Sequence, residues 1–357
     1  KSFFLSEDEN SSEKSSPTNL SSSDIVPFER VGKQLMEFPL SEGQKSLWFL
    51  YQLSPESAAY NLVFSSKLTP LVDIESMEAA FRALFERHPM LSATFHQVNG
   101  EPIQRIHSGK TIDFREHDVS GINEKQIKDL IEKHAELPFD LENGPVIRLE
   151  LFKNDQSSHI VLLSMHHIIS DAWSVSLLMN DLIESYFSIK SGKVPNHDPI
   201  EYSYQDYVNW QENNLSGSYK IRASEYWLSF LEGAPTYLDL PTDYPRPNVQ
   251  TFNGGRFSFM LEDDLASRVL DLAQSQNTTL YTTMLAAYNA LFHRYCDQDD
   301  IVVGSPMAGR NQKELSDMLG YFVNMVPLRS RTHDDPSFID FLDRTSTSVN
   351  GAIEHQD

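Results

Sequence analysis

His166 and His167 stand side by side at the end of the apolar run "IVLLSMHH", with Asp171 four residues beyond the second ring and Trp173 just after it. Imidazoles with a nearby carboxylate can ligate a metal, activate a nucleophile or move a proton. If the run is a strand, consecutive side chains leave on opposite faces, so the two rings cannot share one direction. That counts against chelation of one ion by both, and no HExxH or second carboxylate cluster supplies the missing ligands, so no metal site is expected. A serine-hydrolase arrangement is also excluded. GxSxG is absent, and in "VGSPMAG" Pro306 follows Ser305 where a nucleophile elbow needs a sharp strand-to-helix turn. Two readings remain open: one imidazole moves a proton while a fixed partner holds its other nitrogen, or both rings only pack at a strand end. Asp171 could hold that ring or cap the following helix, and an interior carboxylate is better matched by an arginine fork.

The elements that must position these residues are legible around them. Residues 146–167 read as two strands joined by a polar turn, and residues 172–190 as a helix with Val175, Leu178, Leu182, Ile183 and Tyr186 along one stripe. Upstream, Ser41 caps an amphipathic helix with Glu42 in its first turn. "NLVFSSKL" and "LSATFHQV" alternate as strands, and residues 73–89 form a capped helix with Met77, Ala80, Phe81, Leu84 and Phe85 inward and Pro89 as its stop. "INEKQIKDLIEKHAEL" reads as a surface helix. Past the loose stretch "SGKVPNHDP", with one aromatic helix in "YSYQDYVNWQENNL", a second series follows: strand "GRFSFML", helices "DDLASRVLDLAQSQ" and "LYTTMLAAYNALFHRYC", strand "DIVVGSPMAG", then "YFVNMVPLRSR". Strands and helices mix without a strict alternating rhythm, which implies an α/β fold with mixed sheets and flanking helices.

Length and composition bound the rest. The chain has 357 residues, 40% hydrophobic and 22% charged, a globular composition larger than one small core organises. With 51 acidic against 29 basic side chains, the formal charge of −22 opposes non-specific contact with nucleic acid or an anionic membrane, so neither is expected as a partner. No apolar run spans a bilayer and the first residues do not form a signal peptide, so a cytoplasmic protein is expected. The lone Cys296, in the acidic context "FHRYCDQDD", excludes an internal disulfide framework and reads as an ordinary thiol. Residues 1–35, rich in Ser, Glu, Asp and Lys, read as a disordered linker or tail. Residues 36–200 and 255–357 are expected as two lobes and 201–254 as the crossover between them. The abrupt close at "HQD" reads as a truncated second lobe.

The motif carries a resemblance beyond its spacing. "HHIISDAWS" resembles the HHxxxDG motif of the condensation domains of non-ribosomal peptide synthetases, in the chloramphenicol acetyltransferase-like superfamily. "LSEGQKSLWFL", "RHPMLSATF", "YSYQDYVNWQ" and "MLGYFVNMVPLR" resemble the family's first, second, fourth and fifth motifs in order, and "HQD" the start of the sixth. Ser170 and Trp173 are most like the subgroup that joins two L-residues. The resemblance implies two chloramphenicol acetyltransferase-like lobes in a V-shaped pseudo-dimer, with a tunnel entered by the phosphopantetheine arms of an upstream donor and a downstream acceptor carrier protein. It implies amide formation between the two thioesters with no tightly bound cofactor. By the same resemblance His167 is the catalytic imidazole, His166 is structural, Asp171 pairs with Arg310, and Ala172, Trp173 and Asn324 are tunnel candidates.

Two departures qualify this. Ala172 stands where the family has glycine, which would strain a turn needing positive φ or narrow the tunnel. Pro89, Ser92 and Ala93 replace Glu, Arg and Thr in the second motif. They keep two alternatives in view: a catalytically impaired condensation-like docking domain, and a related acyltransferase using coenzyme A thioesters.

Overall fold

The computed structural model describes Ile25, Pro27 and residues 36–357 except 110, 155–157, 249, 253 and 256. Most of the expected linker therefore lies outside the described residues. The strands form three sheets. The first is antiparallel, β1 (Met36–Pro39), β4 (Glu101–Ile106) and β3 (Ala93–Val98) in the order β1-β4-β3. The second runs β2-β7-β6-β5, from Asn61–Leu68, His159–His166, Ile147–Lys153 and Asp113–Asp118. In it β5 pairs with β6 in parallel while the other pairs are antiparallel, so the sheet is mixed, as expected. The third is the antiparallel pair β8 (Asp300–Met307) and β9 (Asn324–Arg331).

Central strands covered on both faces bury nearly every side chain, and β6 and β7 do: from Ile147 to Phe152 every side chain is buried, the charged Arg148 and Glu150 included, as is every one from Val161 to His166. Strand β7 is fixed from both sides, with Met165 opposite Leu62 on β2 and Ile147 on β6. The helices start where capping chemistry predicts. The Ser41 hydroxyl accepts from the Gln44 N–H at the head of α1 (Glu42–Leu53), and Asp73 accepts from Ser76 at the head of α2 (Ile74–Arg87). Helix α3 (Glu124–Ala135) lies over β6 and β7, burying Ile127 against Phe152 and Leu162. Helix α4 (Ala172–Lys190) packs against α2. Its inward stripe is Ser174, Leu178, Leu182, Ser185 and Tyr186, whereas Ile183, expected on that stripe, is half exposed.

The second half departs from expectation twice. The loose stretch holds two helices rather than one, α5 (Tyr204–Ser216) and α6 (Ser218–Phe230). The second was hidden because Ala223 is the only residue it buries deeply, too little to make an apolar period. The alternating "GRFSFML" is not a strand: Phe257, Phe259 and Met260 are exposed and without ladder partners among the described residues. Alternation sets which face a strand would bury, but a strand exists only when a neighbour accepts its hydrogen bonds. Helices α7 (Asp263–Ser275) and α8 (Leu280–Cys296) follow as expected, and α9 (Phe338–Glu354) covers β9. The main core joins both halves of the chain: Tyr204, Tyr207, Val208, Trp210, Leu315, Met318, Leu319 and Phe322 share one buried cluster with Leu163, Met165 and Leu178.

Candidate active site

Strand β7 ends on His166, and the backbone then tightens into a 3-10 turn over His167–Ile169. This break releases His167 from strand alternation and gives the two rings different surroundings. His166 is 4% exposed, and its Nδ1 accepts from the Ile168 N–H at 3.1 Å, capping the turn. Burial, with a smaller contribution from His167, pushes its pKa down to about 3, so the ring is neutral in the folded protein near neutral pH. His167 is only partly buried. Its Nδ1 lies 2.6 Å from the Ser170 carbonyl oxygen, which can only accept; Nδ1 therefore carries the proton and neutral His167 keeps its lone pair on Nε2. No partner for Nε2 exists among the described residues. Tyr321 meets the ring edge to face, with centroids 5.1 Å apart.

Asp171 does not hold the imidazole. It is 2% exposed and caps α4 through Oδ1, which accepts from the Ser174 N–H at 2.7 Å. The same carboxylate receives Arg310 Nη2 at 3.3 and 3.4 Å on its two oxygens, and Oδ2 accepts from the Phe322 N–H at 3.3 Å. Arg310 is anchored further: Nη1 donates to the carbonyls of Leu315 and Met318, Nη2 donates to Ser174 Oγ at 2.7 Å, and the guanidinium lies 3.9 Å over the Phe322 ring. Burial nonetheless lowers the pKa of Arg310, opposed by the Asp171 charge. Cap and guanidinium partner are thus one job, since the two carboxylate oxygens suffice for both.

The other motifs converge on this turn. Gln44, fully buried in α1, donates to the Ile168 carbonyl at 3.0 Å. Tyr204, at the start of α5, donates to the Tyr321 carbonyl at 2.5 Å and shares a hydrogen bond with Ser41. Ser174 Oγ donates to the Gly320 carbonyl at 2.8 Å and accepts from the Gly320 N–H at 3.1 Å. Ser174, Tyr204 and Tyr321 were not singled out from sequence, although all three lie inside quoted motifs. Two glycines permit the approach. A Cβ on Gly309, whose φ is +66°, would fall 2.0 Å from the Phe322 carbonyl oxygen, and one on Gly320 would strike the Tyr204 ring at 2.2 Å.

The tunnel candidates divide. Ala172 is the first residue of α4, exposed and outside the positive-φ residues, so the strain expected of an alanine there is absent. Trp173 is half exposed, and its Nε1 donates to the Ser316 carbonyl at 2.8 Å, tying α4 to the Arg310 loop. Asn324 begins β9, donates to the Gln356 carbonyl, and lines a cavity of about 100 Å³ with Gly43, Tyr321 and Asp357. A larger cavity, about 540 Å³, is walled by Phe38, His88, Ile106, Tyr204 and Met318, and neither histidine of the motif lines it.

A mixed α/β fold with an imidazole at a strand end, held beside a buried Asp–Arg clamp, defines a class that comparison with known proteins specifies. The family model described as "Condensation domain" matches residues 34–357, and the chain belongs to that family. It is 36% identical over 321 residues to gramicidin S synthase 2 of Brevibacillus brevis, covering 90% of this chain and 7% of that protein. It is 34% identical over 322 residues to bacitracin synthase 2 of Bacillus licheniformis, covering 90% of this chain and 12% of the relative. The chain thus spans about a tenth of the length of these relatives. Among solved structures, the X-domain from teicoplanin biosynthesis matches with a TM-score of 0.83 at 23% identity, over 93% of this chain and 73% of that one. The first condensation domain of the CDA synthetase matches with a TM-score of 0.75 at 20% identity, over 90% and 77%. Among the described residues no helix is long and apolar enough to cross a membrane.

Proposed function

We propose that this chain catalyses amide-bond formation in the cytoplasm, between a donor acyl or peptidyl thioester and an acceptor aminoacyl thioester, as a step of non-ribosomal peptide synthesis. Both substrates ride on phosphopantetheine arms, of an upstream donor and a downstream acceptor carrier protein, and no tightly bound cofactor takes part. The observation that carries the reading is the fixed tautomer of His167: Ser170 holds Nδ1–H, and Nε2 is left as a partly exposed base without a protein partner among the described residues. As the acceptor amine attacks the donor carbonyl, Nε2 accepts a proton from the nitrogen while the C–N bond forms. The C–S bond then breaks and the donor pantetheine leaves as thiolate, which takes up a proton. A thioester is already activated, so holding amine and carbonyl in contact supplies much of the acceleration. Asp171, Arg310 and Ser174 act on the reaction only by positioning the turn that carries His167.

The docking-domain reading rests on two departures, Ala172 in the core motif and Pro89, Ser92 and Ala93 in the second motif. Backbone strain at Ala172 does not support it, because residue 172 begins α4 outside the positive-φ residues, whereas the second-motif replacements still do. The deciding experiment supplies two loaded carrier proteins and follows amide product by mass spectrometry. His167→Ala is expected to lower the rate about 10²–10⁴-fold, the usual worth of a positioned acid–base group, with native circular dichroism. Full turnover by that variant removes the base role. Product from coenzyme A thioesters without carriers favours the free-thioester acyltransferase, and no product from any loaded pair favours docking.

A further inference from the structure

A second histidine–carboxylate cluster lies away from the proposed catalytic turn. Glu150 on β6 has no exposed side-chain surface, yet no lysine or arginine pairs with it among the described residues. Its Oε1 is approached by His117 Nε2 from β5 at 2.9 Å and by His134 Nδ1 from the last turn of α3 at 2.8 Å. Its Oε2 is buried with no hydrogen-bond partner among the described residues. Burying a carboxylate without a fixed cation is costly, and leaving one oxygen unpaired adds to the cost. The guanidinium of Arg148, two residues along β6, does not relieve it: Nε is committed to Asp113 at 3.2 Å and Nη1 to the His134 carbonyl at 3.4 Å.

We propose that Glu150, His117 and His134 form a binding site for a divalent transition-metal ion of the zinc type, pinning α3 to the edge strand β5. The donors are two imidazoles and one carboxylate, all with ligand atoms within 4.8 Å of one another. Three protein ligands and a water complete a tetrahedral shell. Metal–ligand bonds of about 2.0–2.1 Å set the donor atoms roughly 3.4 Å apart, so the imidazole nitrogens, now 2.9 and 2.8 Å from Oε1, move outward from it by about half an ångström. Phe152 holds both rings, stacked on His117 at 4.7 Å and edge-on to His134 at 5.4 Å. The imidazoles are 26% and 18% exposed, which leaves the ion a way in, and the carbonyl end of α3 favours positive charge there. On coordination, each neutral ring moves its proton to the nitrogen facing away from the metal. The grouping of Asp181, Glu184 and His197 is a useful contrast, because Asp181 is already paired with Arg87 at 2.7 Å and His88 at 2.6 Å.

The test uses the whole chain, dialysed against chelator and titrated with Zn²⁺ alone, with stoichiometry from elemental analysis and affinity from competition with a chromogenic chelator. One Zn²⁺ per chain is expected, with a rise in Tm that Mg²⁺ does not reproduce. His117→Ala and His134→Ala should each weaken binding roughly 100-fold, at least matching the loss of a supporting residue, while His197→Ala leaves it unchanged. X-ray absorption of the zinc-loaded wild-type protein should show two imidazoles, a reading that stands even if a variant fails to fold. Absence of stoichiometric binding, binding unaffected by either ligand substitution, or loss with His197→Ala overturns the proposal. A metal-free cluster whose imidazole N–H protons stay shared with Glu150 in excess zinc overturns it in favour of hydrogen bonding alone.

Discussion

The fold buries two carboxylates near histidines and treats them in opposite ways. At the proposed catalytic turn, Asp171 is satisfied by a guanidinium, a helix N-terminus and the Phe322 amide, so no imidazole is needed and His167 is left free. Under α3, Glu150 has no guanidinium among the described residues and draws in two imidazoles, committing one nitrogen of each ring to its carboxylate. The difference teaches what frees a histidine for chemistry. A base stays available when another cation answers the buried anion beside it and a carbonyl, not a carboxylate, fixes its tautomer.

The comparison breaks most easily at Arg310. If that guanidinium is what neutralises Asp171, Arg310→Ala should cost about 3–5 kcal/mol in denaturant unfolding, because a carboxylate remains buried without its counter-charge. Adding Asp171→Asn should restore part of the loss, since the stranded charge is then gone. An unchanged midpoint for Arg310→Ala, or no recovery in the double variant, would mean that the helix cap and the Phe322 amide satisfy Asp171 alone and the contrast with Glu150 fails.

Acid sharpens the same comparison. His117 and His134 lie against Glu150, whereas a proton forced onto His166 puts a cation at a buried site with no carboxylate partner among the described residues. Its folded pKa, about 3, lies below the ordinary value of 6.5. Between those values the unfolded chain binds the extra proton and the folded chain does not. Stability from this group is therefore complete above 6.5 and declines as pH falls from 6.5 toward 3, by several kcal/mol in all. His166→Asn keeps an acceptor for the Ile168 N–H but cannot titrate. Its Tm should fall less steeply over that interval than the wild-type Tm; parallel curves would place the acid sensitivity elsewhere.

How much of this was legible in sequence follows from the range of each interaction. The strand end at His166, the cap at Asp171 and the heads of α1 and α2 rest on neighbours within a few residues, and local pattern placed them. Arg310 was found only because the family resemblance supplied a partner 139 residues away. Ser174 escaped notice because a serine one turn into a helix has no signature, although its hydroxyl ties Arg310 to Gly320. The cluster under α3 was invisible for the same reason: His117, His134 and Glu150 fall on three elements at separations matching neither a helix nor a strand period. The "GRFSFML" segment shows the converse, a sound local pattern with no neighbour to realise it.

The smallest expected effect tests how far the clamp around Asp171 extends. Trp173 Nε1 donates to Ser316, one residue past Leu315 and two before Met318, whose carbonyls hold Arg310. Trp173→Phe keeps an aromatic ring and loses one hydrogen bond at a half-exposed site, so the cost should be about 1 kcal/mol. If tryptophan and arginine grip one rigid loop, Trp173→Phe and Arg310→Ala should couple by more than about 0.5 kcal/mol in a double-mutant cycle, the usual limit of additivity for independent sites. If their costs simply add, the tryptophan holds the rim of the junction and the arginine its centre, each without help from the other. In that case the freedom of His167 depends on the buried Asp171–Arg310–Ser174 contacts alone, and changes at Trp173 should leave amide formation untouched.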